Sequence, residues 1–247
     1  MRRPRRAAAG AAAVAGAAAL AVAFAPAAVG SADPQTYRVT IENLTNGQAF
    51  TPAIAATHRG RHLMFDVGRR ASNEIVQIAE NGDLGPMAAF LAANPRVLDS
   101  FQGSAPQVPK GNPGGTPFTS SVTFEIDGAR GHDRLSWAAM LICTNDGFTG
   151  VDGLRLPQRV GQTVVAQTAG YDAGSEANTE DFGDLVPPCQ GLIGVSGDEP
   201  GTGASDPALA TQDVIRHHAG ITGREDLLPN VHGWTDPVAK LTVTRID

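Results

Sequence analysis

Apolar and polar positions alternate strictly at three places along the chain. Tyr37, Val39 and Ile41 interleave with Arg38, Thr40 and Glu42, and Val122, Phe124 and Ile126 interleave with Thr123, Glu125 and Asp127. The segment 238–246 (VAKLTVTRI) repeats the pattern near the end. Alternation of period two sends one set of side chains to a core and the other to water, so each run predicts a half-buried strand. Residues 135–143 (LSWAAMLIC) are instead almost continuously apolar, as suits a central strand buried on both faces. A further short β run covers 162–168. Helical spacing is concentrated in one zone. Ser72 can cap a helix carrying Ile75, Val76, Ile78 and Ala79, which Gly82 stops; Pro86 opens a second helix with Met87, Phe90 and Leu91, which Asn94-Pro95 ends. A weaker helical pattern spans 206–217. Strands at both ends with loops between predict a mainly β protein, an antiparallel β-sandwich of one domain over residues 33–247, with one or two short helices in its connections.

The first 32 residues stand outside that pattern. Arg2, Arg3, Arg5 and Arg6 precede an Ala-rich apolar stretch, and Gly30-Ser31-Ala32 offers a small-residue cleavage site. This arrangement predicts an export signal peptide over residues 1–32, leaving no stable membrane span after cleavage and a secreted or cell-envelope location. Export bears on the two cysteines, Cys143 and Cys189. An oxidising compartment favours a disulfide over two free thiols, and a bridge 46 residues apart would constrain the unfolded chain by about 3–4 kcal/mol.

Charge narrows the partners. Without the four Arg of the leader, 15 Lys and Arg face 25 Asp and Glu, a net of −10. An acidic body argues against a broad phosphate-binding surface and against nucleic acid, and suits a protein that holds cations. Catalytic motifs are absent: there is no H-E-x-x-H, G-x-S-x-G, P-loop or strand-linked G-x-G-x-x-G. His58 and His62 lie in a Gly-broken segment and read as hydrogen-bonded or solvated; His217-His218 read as the end of the weak helix.

Two acidic, Gly-rich segments carry the remaining chemistry. The first, 145–154 (NDGFTGVDGL), reads as a loop following the most apolar strand; the second, 171–176 (YDAGSE), follows the β run at 162–168. Calcium takes six to eight oxygen ligands, and loops at one end of a sandwich can gather carboxylates distant in sequence. Asp-Gly is also the commonest turn dipeptide, so two ordinary solvated turns fit the same residues.

The stretches DGFTGVDGL at 146–154 and DAGSE at 172–176, with the opening YRVTIENLT, the SNEI region and the closing VAKLTVTRI, resemble the spondin N-terminal domain family. The resemblance covers about residues 35–247. It implies a C2-like antiparallel sandwich binding a divalent cation, calcium, at its loop end. It also implies the ligands Asp146, Asp172 and Glu176, with Asp152 a weaker candidate because that acid is not constant in the family. Gly147 stands where the family usually has Trp, and Glu176 where it has Asp. The function so implied is an exported, non-enzymatic adhesion or recognition module engaging an extracellular macromolecule, a glycan or a cell-surface component. A metal-assisted hydrolase of extracellular polymers and a purely structural envelope protein are the rival readings.

Overall fold

The computed structural model describes residues 34–195 and 201–247; the export-signal reading of 1–32 lies outside them. Two antiparallel sheets face each other. The four-stranded sheet runs β4-β1-β10-β7, from β1 (Gln35–Asn43), β4 (Ser121–Gly128), β7 (Thr163–Thr168) and β10 (Ala239–Arg245). The six-stranded sheet runs β3-β2-β5-β6-β8-β9, from β2 (Ile54–His58), β3 (Val97–Gln102), β5 (Arg134–Met140), β6 (Gly147–Arg155), β8 (Gly170–Asp172) and β9 (Arg216–His217). The expected sandwich is present.

Each alternating run became a strand with its apolar set inward. Tyr37, Val39 and Ile41 of β1 join Phe124, Ile126, Leu241 and Val243 in a core that meets Ala55, Leu135, Trp137 and Ala139 of the facing sheet. The other face of the six-stranded sheet is covered by α1 (Asn73–Asn81) and α2 (Gly85–Ala93). Ile75, Ile78, Met87 and Leu91 pack there on Ile54, Ala56, Ala138 and Met140. Strand β5 is therefore buried on both faces, which is why its sequence shows no alternation. The helix signals acted as read: the Ser72 hydroxyl accepts from Ile75 N at 3.4 Å, and Gly82 closes α1 with its N–H on the Gln77 and Ile78 carbonyls.

Three expectations need correction. Most of the acidic segment 145–154 is strand β6, paired with β5 from Met140↔Phe148 to Arg134↔Arg155, so only Asn145 and Asp146 lie in the turn. The helix expected over 206–217 does not form. That stretch runs irregular to Ile215, bonded to the 174–177 turn through Thr211 N to Ser175 O and Asp213 N to Gly174 O, and ends in β9. Main-chain bonds to a neighbouring segment outweigh a weak periodicity, and they place His217 in a strand rather than at a helix end. Four short helices form among the described residues instead of one or two. The extra pair, α3 (Pro188–Ile193) and α4 (Pro229–His232), are shorter than two turns and opened by Pro, too short for a periodic signal. No helix among the described residues is long and apolar enough to cross a membrane.

Candidate cation site at one end of the six-stranded sheet

Strand β5 ends where β6 begins, and β8 ends beside them through the pair Gly147↔Asp172. Two turns consequently meet: 141–146 after β5 and 173–176 after β8. The first is clamped from behind. Cys143 and Cys189 form the disulfide, with Cα atoms 5.0 Å apart, and the Gln48 amide accepts from Cys143 N at 3.1 Å while donating to the His232 carbonyl at 2.7 Å. Thr144 donates to the Leu141 carbonyl and accepts from Gly147 N at 2.8 Å. A Cβ on Gly147 would strike that Thr144 hydroxyl, so the absence of the family's Trp and the Thr144 cap belong together. Asn145 binds the second turn, accepting from Thr179 N at 3.1 Å and donating to the Thr179 hydroxyl at 3.2 Å.

Asp146 is fully buried, and its two oxygens differ. Oδ2 accepts from Ser175 N at 2.7 Å and Glu176 N at 3.0 Å, with the Ser175 hydroxyl at 3.3 Å. Oδ1 is buried with no hydrogen-bond partner. Gly174 makes the receiving turn possible: its φ is +71°, and a side chain there would run into the main chain at Asp213 and Val214. Asp172 is buried as well. Its Oδ1 accepts from Gly174 N at 2.8 Å, and its Oδ2 from Asn178 Nδ2 at 2.8 Å and Arg216 Nη2 at 3.3 Å.

The electrostatics are those of crowded carboxylates. Burial, and then the Asp172 charge, push the Asp146 carboxyl up to about 6 against the hydrogen bonds from residues 175 and 176. Glu176 is pushed up to about 7, by burial first and then by the neighbouring acids Glu80, Asp146 and Asp206. Its Oε1 accepts from Asp206 N at 2.7 Å. The structure thus brings Asp146 and Asp172 into electrostatic contact and sets Glu176 on the adjoining turn with an oxygen committed to Asp206. No trio of His, Cys, Asp or Glu among the described residues converges into a metal-ligand cluster. The donors nevertheless suit a hard cation: they are all oxygens, one of them a buried acceptor with nothing to accept from.

Asp152 does not belong to this group. Six residues along β6 from Asp146, it lies about 20 Å away. Its carboxylate accepts from Leu63 N at 2.9 Å, Met64 N at 3.0 Å and the Ser136 hydroxyl at 2.5 Å, with His62 Nδ1 at 3.3 Å. It anchors the 62–64 segment over the sheet. Reading 145–154 as one loop hid this, since in a strand six residues extend rather than curl back.

The same place holds a cluster that sequence reasoning missed. His58 of β2 bonds Ser136 of β5 at 2.7 Å, and Ser136 donates to Asp152 of β6. Ser136 is fully buried and stands between the histidine and the acid. A hydrolytic relay needs the histidine in the middle and the serine open to substrate; here the buried serine is in the middle, and the chain of bonds joins three strands. Its members are 16 and 78 residues apart, with no spacing to betray them.

The Spondin_N family matches residues 33–181 of this chain, more than half of it. Human Spondin-2 is 27% identical over 128 residues, which is 50% of this chain and 37% of that relative. The chain therefore matches well under half the length of Spondin-2. The family match spans β1 through β8, which ends in Asp172, and the turn that carries Glu176. By this match, the chain belongs to the Spondin_N family.

Proposed function

We propose that the protein is an exported, calcium-dependent recognition module with no catalytic role, secreted or held in the cell envelope, whose partner is an extracellular glycan or other cell-surface macromolecule. The observation that carries the calcium reading is the buried Oδ1 of Asp146, unpartnered beside a second buried carboxylate. Arg216 is ion-paired with Asp172, and a bound Ca²⁺ would supply the positive charge that Asp146 lacks. Asp146 and Asp172 would hold it, with Glu176 as third ligand on releasing Asp206 N. The chain's own part is to fix the geometry: the disulfide and Gln48 hold the first turn, and Asn145 and the 175–176 amides lock the second onto it.

Next to Asp172 a cavity of about 310 Å³ is lined by Asn178, Arg216, His218 and Arg224. Rigid loops around such a cavity suit recognition of a partner. The buried Ser136, with His58 and Asp152 in the wrong order for proton relay, also favours binding over hydrolysis. Calorimetric titration of chelator-treated protein with CaCl₂ tests the reading. Wild type is expected to bind, and Asp146→Asn and Asp172→Asn to lose binding; a wild type that takes up no calcium contradicts it.

A further inference from the structure

Arg59, Arg61, Arg96, Arg134 and Arg155 are scattered in sequence and gathered in the fold. His58, the last residue of β2, is opposite Val97 of β3 and Arg134 of β5, and Arg134 is opposite Arg155 of β6. Arg59 N donates to the Arg96 carbonyl at 2.9 Å, and a Cβ on Gly60 would sit 3.5 Å from the Arg96 guanidinium. Burial lowers the His58 pKa, with the charges of Arg96 and Arg134 adding to the effect against Asp152. A Cβ on Gly153 of β6 would strike the Arg61 carbonyl, so all five lie at one end of four neighbouring strands, a strip about 15 Å wide at ordinary strand spacing. It is the end remote from Asp146, because β6 starts at one and finishes at the other.

Four carboxylates flank this strip, and one of them is ion-paired with an arginine. Asp133 pairs with Arg155 at 3.5 Å, and Asp152 is occupied by main-chain amides, Ser136 and His62. Asp99 and Asp127, to the side, accept from Ser100 N, Asp127 N and the Thr36 hydroxyl. Arg134 donates to the Gly153 carbonyl at 2.9 Å, whereas Arg59, Arg61 and Arg96 have no ion-pair partner among the described residues. Arg59, Arg61 and Arg155 are exposed. On a body of net charge −10, five arginines beside Asp99, Asp127, Asp133 and Asp152, three of the guanidiniums without an ion pair, leave this sheet end slightly positive.

We propose that this arginine end binds a polyanionic polysaccharide, its sulfate or carboxylate groups engaged by the guanidinium forks. Planar guanidinium matches such oxyanions through two parallel hydrogen bonds. A single glycan thread carrying anions along one line fits a narrow strip, whereas a nucleic-acid duplex would also meet the acidic surface that flanks it. The proposal rests on the recognition reading only for its macromolecular partner. The strip contains no proposed calcium ligand, so its binding is independent of the cation.

The test uses the full-length exported protein on immobilised heparin and on polygalacturonate, with neutral dextran as control, in the presence of EDTA. Retention on one or both anionic supports, and none on dextran, is expected; the two supports distinguish sulfate from carboxylate. The triple variant Arg59→Gln/Arg61→Gln/Arg96→Gln should elute at lower salt, its log affinity against log salt flattening by about one per arginine removed. Its melting temperature should stay at the wild-type value, since the replaced side chains are not core residues. Absence of retention, equal retention of wild type and triple variant, or tighter binding to duplex DNA than to either polysaccharide would overturn the proposal. Retention in EDTA alongside failed calcium titration would leave this proposal standing and remove the calcium reading.

Discussion

Asp146 concentrates the chemistry of the protein in one side chain. A carboxylate with one oxygen bonded to two amides and the other bonded to nothing is poorly matched to its own charge. Its folded-state pKa of about 6 lies above the ordinary 3.8, and that of Glu176, about 7, above 4.5. For an acid shifted upward, stability is full at low pH and is lost as pH rises through the folded value. Chelated protein should therefore lose stability between about pH 4 and 7, by on the order of 3 kcal/mol for a two-unit shift at Asp146. Urea unfolding across that range measures it. Calcium should abolish the loss, and Asp146→Asn should remove its own share in the chelated protein. A flat profile in chelator would refute this. Asp152 makes the contrasting case. Asp152→Ala should cost about 2–4 kcal/mol, by stranding the Leu63 and Met64 amides and Ser136, and leave the calcium response intact. Loss of the calcium response in that variant would contradict the assignment of Asp152 to an anchor.

At the level of elements, what was legible in the sequence was what repeats. The alternation of Tyr37, Val39 and Ile41 gave β1 its face, and Ser72 and Gly82 bounded α1 to the residue. What was not legible depended on partners elsewhere in the chain. The glycines of 145–154 look like loop residues, yet pairing with β5 makes them strand. Residues 206–215 look faintly helical, yet bonds to Gly174 and Ser175 extend them. The candidate site divides the same way: the family resemblance pointed to Asp146 and Asp172, which lie at adjoining strand ends, whereas Asp152 was misplaced by taking a strand for a loop. The disulfide binds one such element to another, tying the turn after β5 to α3. Its reduction should lower stability by about 3–4 kcal/mol. It should also weaken calcium affinity, because Cys143 positions the turn that presents Asp146; the same affinity before and after reduction would show that the turn holds itself.

For the whole molecule, the six-stranded sheet, with its central strand β5 buried on both faces, separates two chemically different ends. Acidic turns occupy one end of the six-stranded sheet and arginines the other, a division that the net charge of −10 averages away. The acidic body read from composition is an average over both ends: register, which composition does not contain, decides where charges meet. Family membership accounts for the scaffold, while the proposed function rests on what the two ends present. The central claim is the cation at Asp146 and Asp172, and calorimetric titration of chelator-treated protein with CaCl₂ at pH 7.5 tests it most directly. The account predicts saturable binding at one site, with a melting temperature that rises with calcium concentration and both effects absent in Asp172→Asn. No heat of binding, together with a melting temperature indifferent to calcium and to chelator, would contradict it.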